Sequence, residues 1–231
     1  MSDAKFPHNE IFSRNIGAIS PAQQQLLQEG RVAVVGCGGL GGHVIEQLVR
    51  LGVGSVHCFD PDVFTPSNGN RQLNATRANL GKNKAQAAVE RAAAIHRHSL
   101  VVSFPEDFRS CRSAEAFAVD LVVDCLDSVS ARRDLAALCG ERNLPLVHGA
   151  VNGWCGQVGV VLPGGDLLDR LYRRQTESAQ SAAPSVLACT VALVASLQVA
   201  EALKLLLGQP TELADSWLHV DLKYMEFLLN R

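Results

Sequence analysis

The sequence predicts an α/β fold: a Rossmann-like, mostly parallel sheet with helices on both faces and antiparallel strands toward the C-terminus. Short apolar runs rich in β-branched residues alternate with longer helical patterns through most of the chain. This alternation is typical of βαβ units, in which each helix connects two parallel strands. Two further short apolar runs follow the last helical pattern and complete the sheet.

The elements follow in order along the chain. A helix is predicted over 21–28, with Ser20 as its N-cap and Pro21 at its first position. Strands are predicted at 31–35, 55–59, 100–104, 119–125, 146–150, 157–162, 217–222 and 224–229, and further helices at 40–51, 82–96, 130–142 and 186–207.

The chain is interpreted as one domain, because no internal repeat or inter-domain linker is visible in its 231 residues. Within it, 1–30 form an N-terminal arm and helix, 31–150 a nucleotide-binding unit and 151–231 a C-terminal half. The segment 163–185, with Gly-Gly, arginines and a run of Ser, Ala and Gln, is too long for an ordinary connection. We expect a mobile functional loop or a partly helical segment there.

Composition excludes several classes of protein. Hydrophobic residues make up 47% and the net charge is −2, which excludes a disordered chain and a general nucleic-acid binder. The apolar run 186–207 contains Gln198, Glu201 and Lys204, which are costly in lipid, so a core helix with one polar edge is favoured over a membrane span. The seven cysteines form no C-x-x-C pair and indicate buried, reduced thiols in a cytoplasmic protein. The polar first ten residues indicate no secretory signal.

A glycine motif gives the first functional signal. Gly36, Gly38 and Gly41 fit the motif G-x-G-x-x-G directly after a predicted strand and before a predicted helix. Glycines at such a turn let the backbone approach a phosphate closely at the helix N-terminus. Asp60 ends the next strand, where a carboxylate commonly accepts hydrogen bonds from ribose hydroxyls. Together they indicate an adenine nucleotide but do not separate NAD from ATP. A tight turn at the glycines and a turn or cap at Asp60 are the alternatives.

Two cationic residues favour ATP. Arg71 and Lys84 follow Asp60, and a triphosphate needs cations that a hydride-transferring enzyme does not. Asp127 lies just past the fourth strand, at the edge where α/β proteins bind ligands, and is a candidate Mg²⁺ ligand. The alternatives are a capping or solvated arginine, an exposed helix lysine, and an aspartate that caps the helix at 130. Asp124, within the strand, is the weaker metal candidate.

This combination of residues resembles the ThiF/MoeB/HesA adenylating enzymes, bacterial relatives of ubiquitin-activating enzymes. The matching pieces occur in the family's order across nearly the whole chain. They are Ser13-Arg14, GCGGLGG at 36–42, DPDVFTPSNGNRQ at 60–72, GKNK at 81–84, DCLDS at 124–128 and SLQVAEALKLLLG at 196–208.

The resemblance implies a role for each matching position. Asp60 would hold the ribose, Asp127 would hold Mg²⁺, and Arg14 would be an arginine finger that reaches the partner's site in a homodimer. The implied catalytic residues are Arg14, Arg71, Lys84 and Asp127, and the implied nucleotide-binding residues are Gly36, Gly38, Gly39, Gly41, Asp60, Asp62, Asn68 and Gln72.

The resemblance also implies a reaction. A carboxylate attacks the α-phosphorus of ATP to give an acyl-adenylate and pyrophosphate, and in the family it is usually the C-terminal glycine of a small ubiquitin-like sulfur carrier ending in Gly-Gly. Since a rhodanese-like domain is absent, a sulfur donor would be a separate protein. Three alternatives stay open: a tRNA threonylcarbamoyladenosine dehydratase-like enzyme, an NAD-binding oxidoreductase and a non-catalytic binding module.

The chain departs from many relatives in its cysteines. Many members carry two C-x-x-C pairs that bind structural zinc, and since this chain has none we predict no zinc. Cys189 stands where many relatives have Pro. It is a candidate acceptor of the acyl group or sulfur, although a buried thiol is the favoured interpretation. His43 and His148 show no metal-like spacing and are interpreted as packed or solvated.

Overall fold

Eight strands form one sheet in the computed structural model, which describes residues 8–173 and 185–231. Their order across the sheet is β3-β2-β1-β4-β5-β6-β7-β8. The strands are Arg31–Val35 (β1), Ser55–Phe59 (β2), Leu100–Phe104 (β3), Leu121–Asp124 (β4), Leu146–Asn152 (β5), Cys155–Val161 (β6), Trp217–Asp221 (β7) and Glu226–Asn230 (β8).

The pairing of these strands confirms the predicted fold class. The five strands β3, β2, β1, β4 and β5 pair in parallel, and β5 through β8 pair antiparallel. Strand order reverses at β1, which has β2 on one side and β4 on the other. The crevice at the carboxyl ends of such strands is where open α/β sheets bind ligands.

Helices cover both faces of the sheet. They are His8–Ile11 (α1), Pro21–Glu29 (α2), Gly39–Leu51 (α3), Lys84–Ile95 (α4), Val129–Glu141 (α5), Leu167–Tyr172 (α6) and Ala188–Leu206 (α7). The predicted N-cap of α2 is confirmed, because Ser20 Oγ accepts from the Gln23 N–H while the Gln23 side chain accepts from the Ser20 N–H. This reciprocal capping box satisfies two N–H groups at the start of the helix.

The strand β1 shows how the core divides between the two faces. Val32 and Val34 pack into the cluster beneath α3, α4 and α7, and Ala33 and Val35 pack into the cluster beneath α5 and α6. Successive side chains of a strand point to opposite faces, so a strand covered on both sides is apolar throughout. The run RVAVV therefore forms a central strand.

The long apolar helix α7 lies in the core, as predicted. By length and composition alone it would suffice to cross a membrane. It packs instead against α3, β5 and β6. Two polar residues of its second half face the protein interior. Gln198 is completely buried and donates to the carbonyls of Asp124 and Val147. Glu201 is buried too and accepts from Lys204 and Thr211.

The segment 163–185 is partly helical, because it contains α6. Residues 174–184 lie outside the described residues, so the expectation of a mobile loop there is neither supported nor opposed. The predicted helices at 82–96 and 130–142 begin at Lys84 and Val129 respectively, directly after Asn83 and Ser128. Both preceding residues cap their helix through the side chain, which fixes these boundaries.

Candidate nucleotide site

A cavity of about 370 Å³ opens at the carboxyl ends of β1, β2 and β4. Its size is in the range of small-molecule sites. Most of the residues implied by the sequence meet there. Those that line it are Gly36, Gly38, Gly39, Asp60, Asp62, Arg71, Gln72, Lys84 and Asp127.

The turn between β1 and α3 depends on its glycines. Gly36 has φ +94°, and a Cβ there would lie 2.6 Å from the Cys125 carbonyl oxygen. Gly38 is the N-cap of α3 and provides no side-chain cap, so the first N–H groups of the helix remain available to an anion. Gly41 does not line the cavity. A Cβ on it would overlap the Gly36 carbonyl, so this glycine lets helix and strand approach each other.

Asp60 is both a turn former and a wall of the cavity. Its Oδ2 accepts from the Cys37 N–H at 2.7 Å and its Oδ1 from the Asp62 N–H at 2.9 Å. Burial raises the pKa of this carboxyl, and Lys84 and the two N–H groups oppose that rise. Each carboxylate oxygen retains a further lone pair, so the turn does not preclude a ribose contact.

Lys84 is the first residue of α4 and is buried, so the alternative of an exposed helix lysine is wrong. Its Nζ lies 2.9 Å from Asp62 Oδ2. Asn83 fastens the start of the helix to the loop after β2, since its Nδ2 donates to the carbonyls of Asp60 and Asp62. The fold thus places an ammonium group in the wall of the same cavity as the glycine turn.

The loop after β2 contributes three more of the implied residues. Arg71 lines the cavity while its Nη1 donates to the Ser67 carbonyl and to Asn70 Oδ1. Gln72 is buried, and its Oε1 has no hydrogen-bond partner among the described residues. Asn68 does not line the cavity: its Oδ1 accepts from the Thr65 N–H and caps a short 3-10 helix. In this conformation Asn68 has a local structural role.

Asp127 is exposed at the mouth of the cavity. The alternative that it caps α5 is wrong, because Ser128 is the N-cap and its Oγ accepts from the Ala131 N–H. No hydrogen bond or ion pair within residues 8–173 and 185–231 engages the Asp127 carboxylate. Since Mg²⁺ is usually held by one or two carboxylates together with phosphate oxygens, a single available carboxylate here fits that ion.

The thiols next to the cavity are poor nucleophiles. Burial raises the pKa of Cys37 and Cys125 well above the usual value, so both are neutral thiols at neutral pH. All seven cysteines are free. In the described ranges no three His, Cys, Asp or Glu side chains gather as a metal site would require. The absence of structural zinc stays a prediction.

The sequence profile of the ThiF family matches residues 12–230. This chain belongs to the ThiF family. The sulfur carrier protein adenylyltransferase of Thermus thermophilus is 35% identical over 229 residues, which cover 93% of this chain and 82% of that protein. The molybdopterin-synthase adenylyltransferase of Salmonella typhimurium is 34% identical over 197 residues, covering 81% and 78%. The resemblance inferred from the motifs is thereby confirmed.

A solved structure shows the same fold. Escherichia coli MccB with ATP matches with a TM-score of 0.83 at 19% identity, covering 97% of this chain and 72% of that one. At this identity the likeness concerns the fold alone. It agrees with the mostly parallel sheet and antiparallel C-terminal strands described above.

Arg14, which the ThiF resemblance implies as catalytic, and Cys189, where the chain departs from many relatives, also lie away from the cavity wall. Arg14 is exposed in the turn after α1 and does not line the cavity. Cys189 is exposed in the first turn of α7, so the interpretation of a buried thiol is wrong. The helix buries the next residue, Thr190, whose hydroxyl donates to the Gly153 carbonyl.

Sequence reasoning missed part of the wall. The residues 106–109 after β3 line the cavity. Their place directly after a predicted strand could have indicated this, because the carboxyl ends of parallel strands share one edge of the sheet. Arg132 on α5 also lines it. The sequence could have indicated this, because the spacing places the charged Arg132 on the same helix face as the buried Leu135 and Cys139. His148, interpreted as packed or solvated, is buried against Asp124.

Proposed function

We propose that this ThiF-family protein is an ATP-dependent adenylyltransferase that activates the C-terminal carboxylate of a ubiquitin-like sulfur-carrier protein. The observation that carries the proposal is the buried Lys84 ammonium in the same cavity as the glycine turn, Arg71 and Asp127. Relatives that match most of the chain are named for sulfur-carrier and molybdopterin-synthase adenylylation.

The chemistry suits these residues. A carboxylate oxygen attacks the α-phosphorus of ATP, an O–P bond forms, the bond between the α-phosphorus and its bridging oxygen breaks, and pyrophosphate leaves. The acyl-AMP product has AMP as a good leaving group. Charge that develops on the phosphates is stabilised by preorganised cations and by N–H groups of a helix N-terminus. Lys84, Arg71 and the start of α3 supply these groups, and the step requires no protein nucleophile.

Further roles follow from position and from the family resemblance. Asp60 would bind the ribose hydroxyls, and Gln72 would line the site. Asp127 would hold Mg²⁺, and the ion when bound neutralises charge on the phosphates. Asn68 engages Thr65 through its Oδ1, so its Nδ2 would be the group that donates to the phosphates. Arg14 would act from the second subunit of a homodimer, since its exposed turn is not part of its own cavity wall.

Pyrophosphate exchange into ATP tests the function. We expect exchange that depends on Mg²⁺ and on an added ubiquitin-like sulfur carrier ending in Gly-Gly, and no exchange when that carrier lacks its last glycine. Exchange that needs no carrier, or that responds only to a tRNA-bound carboxylate, contradicts carrier activation. Hydride transfer with NAD, without pyrophosphate exchange, would favour the oxidoreductase alternative. That alternative gives Arg71 and Lys84 in the cavity no role.

A further inference from the structure

A cluster of buried polar side chains lies directly behind the Asp127 turn. Asp124 ends β4, and His148 is its partner in β5. His148 Nδ1 lies 2.6 Å from Asp124 Oδ2, and Arg132 Nε lies 3.8 Å from the same oxygen. Arg132 Nη1 donates to the Tyr172 hydroxyl at 2.9 Å. All four side chains are buried, and the adenylation chemistry above uses none of them.

Two members of this cluster hold the residue before Asp127. The Leu126 N–H donates to Asp124 Oδ1 at 2.9 Å, and the Leu126 carbonyl accepts from Arg132 Nη2 at 2.7 Å. Hydrogen bonds to charged groups are about twice as strong as those between neutral groups. Both backbone polar groups of Leu126 are therefore fixed from inside the protein, one residue before the exposed carboxylate.

The imidazole of His148 orients the Asp124 carboxylate. Gln157 Nε2 and the Tyr172 hydroxyl each lie 3.1 Å from His148 Nε2. Both groups are donors here, so Nε2 accepts and the ring proton is assigned to Nδ1, which donates it to Asp124. Burial lowers the pKa of His148 although Asp124 opposes the shift, which keeps the ring neutral. One carboxylate oxygen is thus engaged by His148 and the other by Leu126.

Fold stability alone does not require these groups. Breaking a buried ion pair is costly, but replacing the whole pair by well-packed apolar residues is often neutral or stabilising. The preceding residues of β4, Val122 and Val123, show that the strand otherwise buries valine. What the cluster adds is directional contact with the turn that carries Asp127.

We propose that Asp124, Arg132 and His148 are positioning residues that fix the Leu126–Asp127 turn and thereby aim the Asp127 carboxylate at the nucleotide cavity. The inference rests on the proposed role of Asp127 with Mg²⁺ and ATP. It assigns Arg132 no direct contact with the substrate, although Arg132 borders the cavity and its Nε has no hydrogen-bond partner among the described residues.

The test is a double-mutant cycle read by ATP binding at varied Mg²⁺ concentration, in titration calorimetry without any carrier. Arg132→Met should raise the Mg²⁺ concentration for half-maximal ATP binding by about 10–100-fold, as is typical when a residue that orients a metal ligand is lost. In an Asp127→Asn background the same change should add less than about twofold, because coupled residues are not additive. Arg133→Met is the matched control, since Arg133 contacts the Tyr172 carbonyl but not the turn.

A milder variant covers the case in which Arg132→Met does not fold. Tyr172→Phe removes the hydroxyl that accepts from Arg132 and donates to His148, and it should shift the Mg²⁺ dependence in the same direction by a smaller factor. Equal effects of Arg132→Met with and without Asp127 would overturn the inference and indicate direct contact with ATP. No shift in either variant would overturn it as well. A protein that binds ATP with Mg²⁺ but exchanges pyrophosphate with no carrier refutes the proposed function and leaves this test intact.

Discussion

Lys84 Nζ lies 2.9 Å from Asp62 Oδ2, yet the lysine side chain is 9% exposed and the aspartate side chain 67%. An exposed carboxylate is well solvated and binds a cation weakly. A buried ammonium, by contrast, is poorly solvated and gains more from a neighbouring anion. A phosphate group can therefore replace Asp62 as the partner of Lys84. The displaced aspartate then turns to solvent at little cost in free energy.

Loss of Lys84 should remove charge stabilisation from the adenylation step. We expect Lys84→Ala to lower kcat/KM for pyrophosphate exchange by about 10²–10³, the usual cost of losing one preorganised donor. The matched control is Lys82→Ala, two residues earlier, because Lys82 is exposed and pairs with Glu90 outside the cavity. Equal losses in the two variants would show that the effect is not specific to the cavity.

The glycine turn should not tolerate a side chain at its first position. In Gly36→Ala the new Cβ would lie 2.6 Å from the Cys125 carbonyl oxygen at φ +94°. We expect a loss of about 1–3 kcal/mol in the free energy of unfolding from the strained backbone. Urea denaturation measures this loss, and ATP binding should fall with it.

Gly140→Ala is the control for that substitution. Gly140 lies in α5, and nothing lies within 4 Å of a Cβ built there. The same chemical change should therefore stabilise the protein by about 0.5–1 kcal/mol. Similar effects of the two substitutions would mean that the Gly36 turn relaxes freely.

Much of the sheet could be predicted because its signals are local. A valine-rich run such as 31–35 reports burial on both faces, and the motif from Gly36 reports a turn into a helix. Asp60 was informative for the same reason, since its position at a strand end fixes its place at the ligand-binding edge. These inferences needed no knowledge of distant contacts.

The contacts among Asp124, Arg132, His148 and Tyr172 could not be predicted because they form over long sequence separations. Asp124 meets His148 only through strand pairing, and Tyr172 joins them only when α6 packs on the sheet. No periodic pattern encodes these contacts. For Asn68 a local contact was missed. Its position in the motif implied phosphate binding, whereas in the structure its Oδ1 accepts from the Thr65 N–H.

Stability should depend on pH through His148. Burial lowers its pKa in the folded protein, so below about pH 6.5, the usual pKa of an unfolded histidine, the unfolded chain binds more protons than the folded one. The free energy of unfolding should be at its full value above that pH and fall as the pH is lowered further. Denaturation midpoints measured from about pH 8 to pH 5 test this sign.

His148→Gln should flatten that acid-side slope. His43, whose pKa burial also lowers, contributes in the same direction, so His43→Gln is the companion variant. A slope that is unchanged in His148→Gln and absent in His43→Gln would assign the acid sensitivity to His43 instead. Stability that rises on acidification would contradict the sign for both residues.

Arg14 should act across the interface of the proposed homodimer. Arg14 is exposed in the turn after α1, outside the cavity wall of its own chain. A two-fold interface is self-complementary, so each N-terminal arm would serve the opposite site. There the guanidinium would add charge at the triphosphate, as arginine fingers do in other phosphoryl-transfer enzymes.

Subunit mixing tests this arrangement. Arg14→Ala and Lys84→Ala should each be nearly inactive alone. After subunit exchange about half of the dimers are mixed, and one of their two sites has both residues intact, so activity should recover to about a quarter of wild-type sites. Recovery requires that Lys84 acts in its own chain and Arg14 in the partner. No recovery despite exchange demonstrated by mass spectrometry would show that Arg14 acts within its own chain or has no role in the reaction.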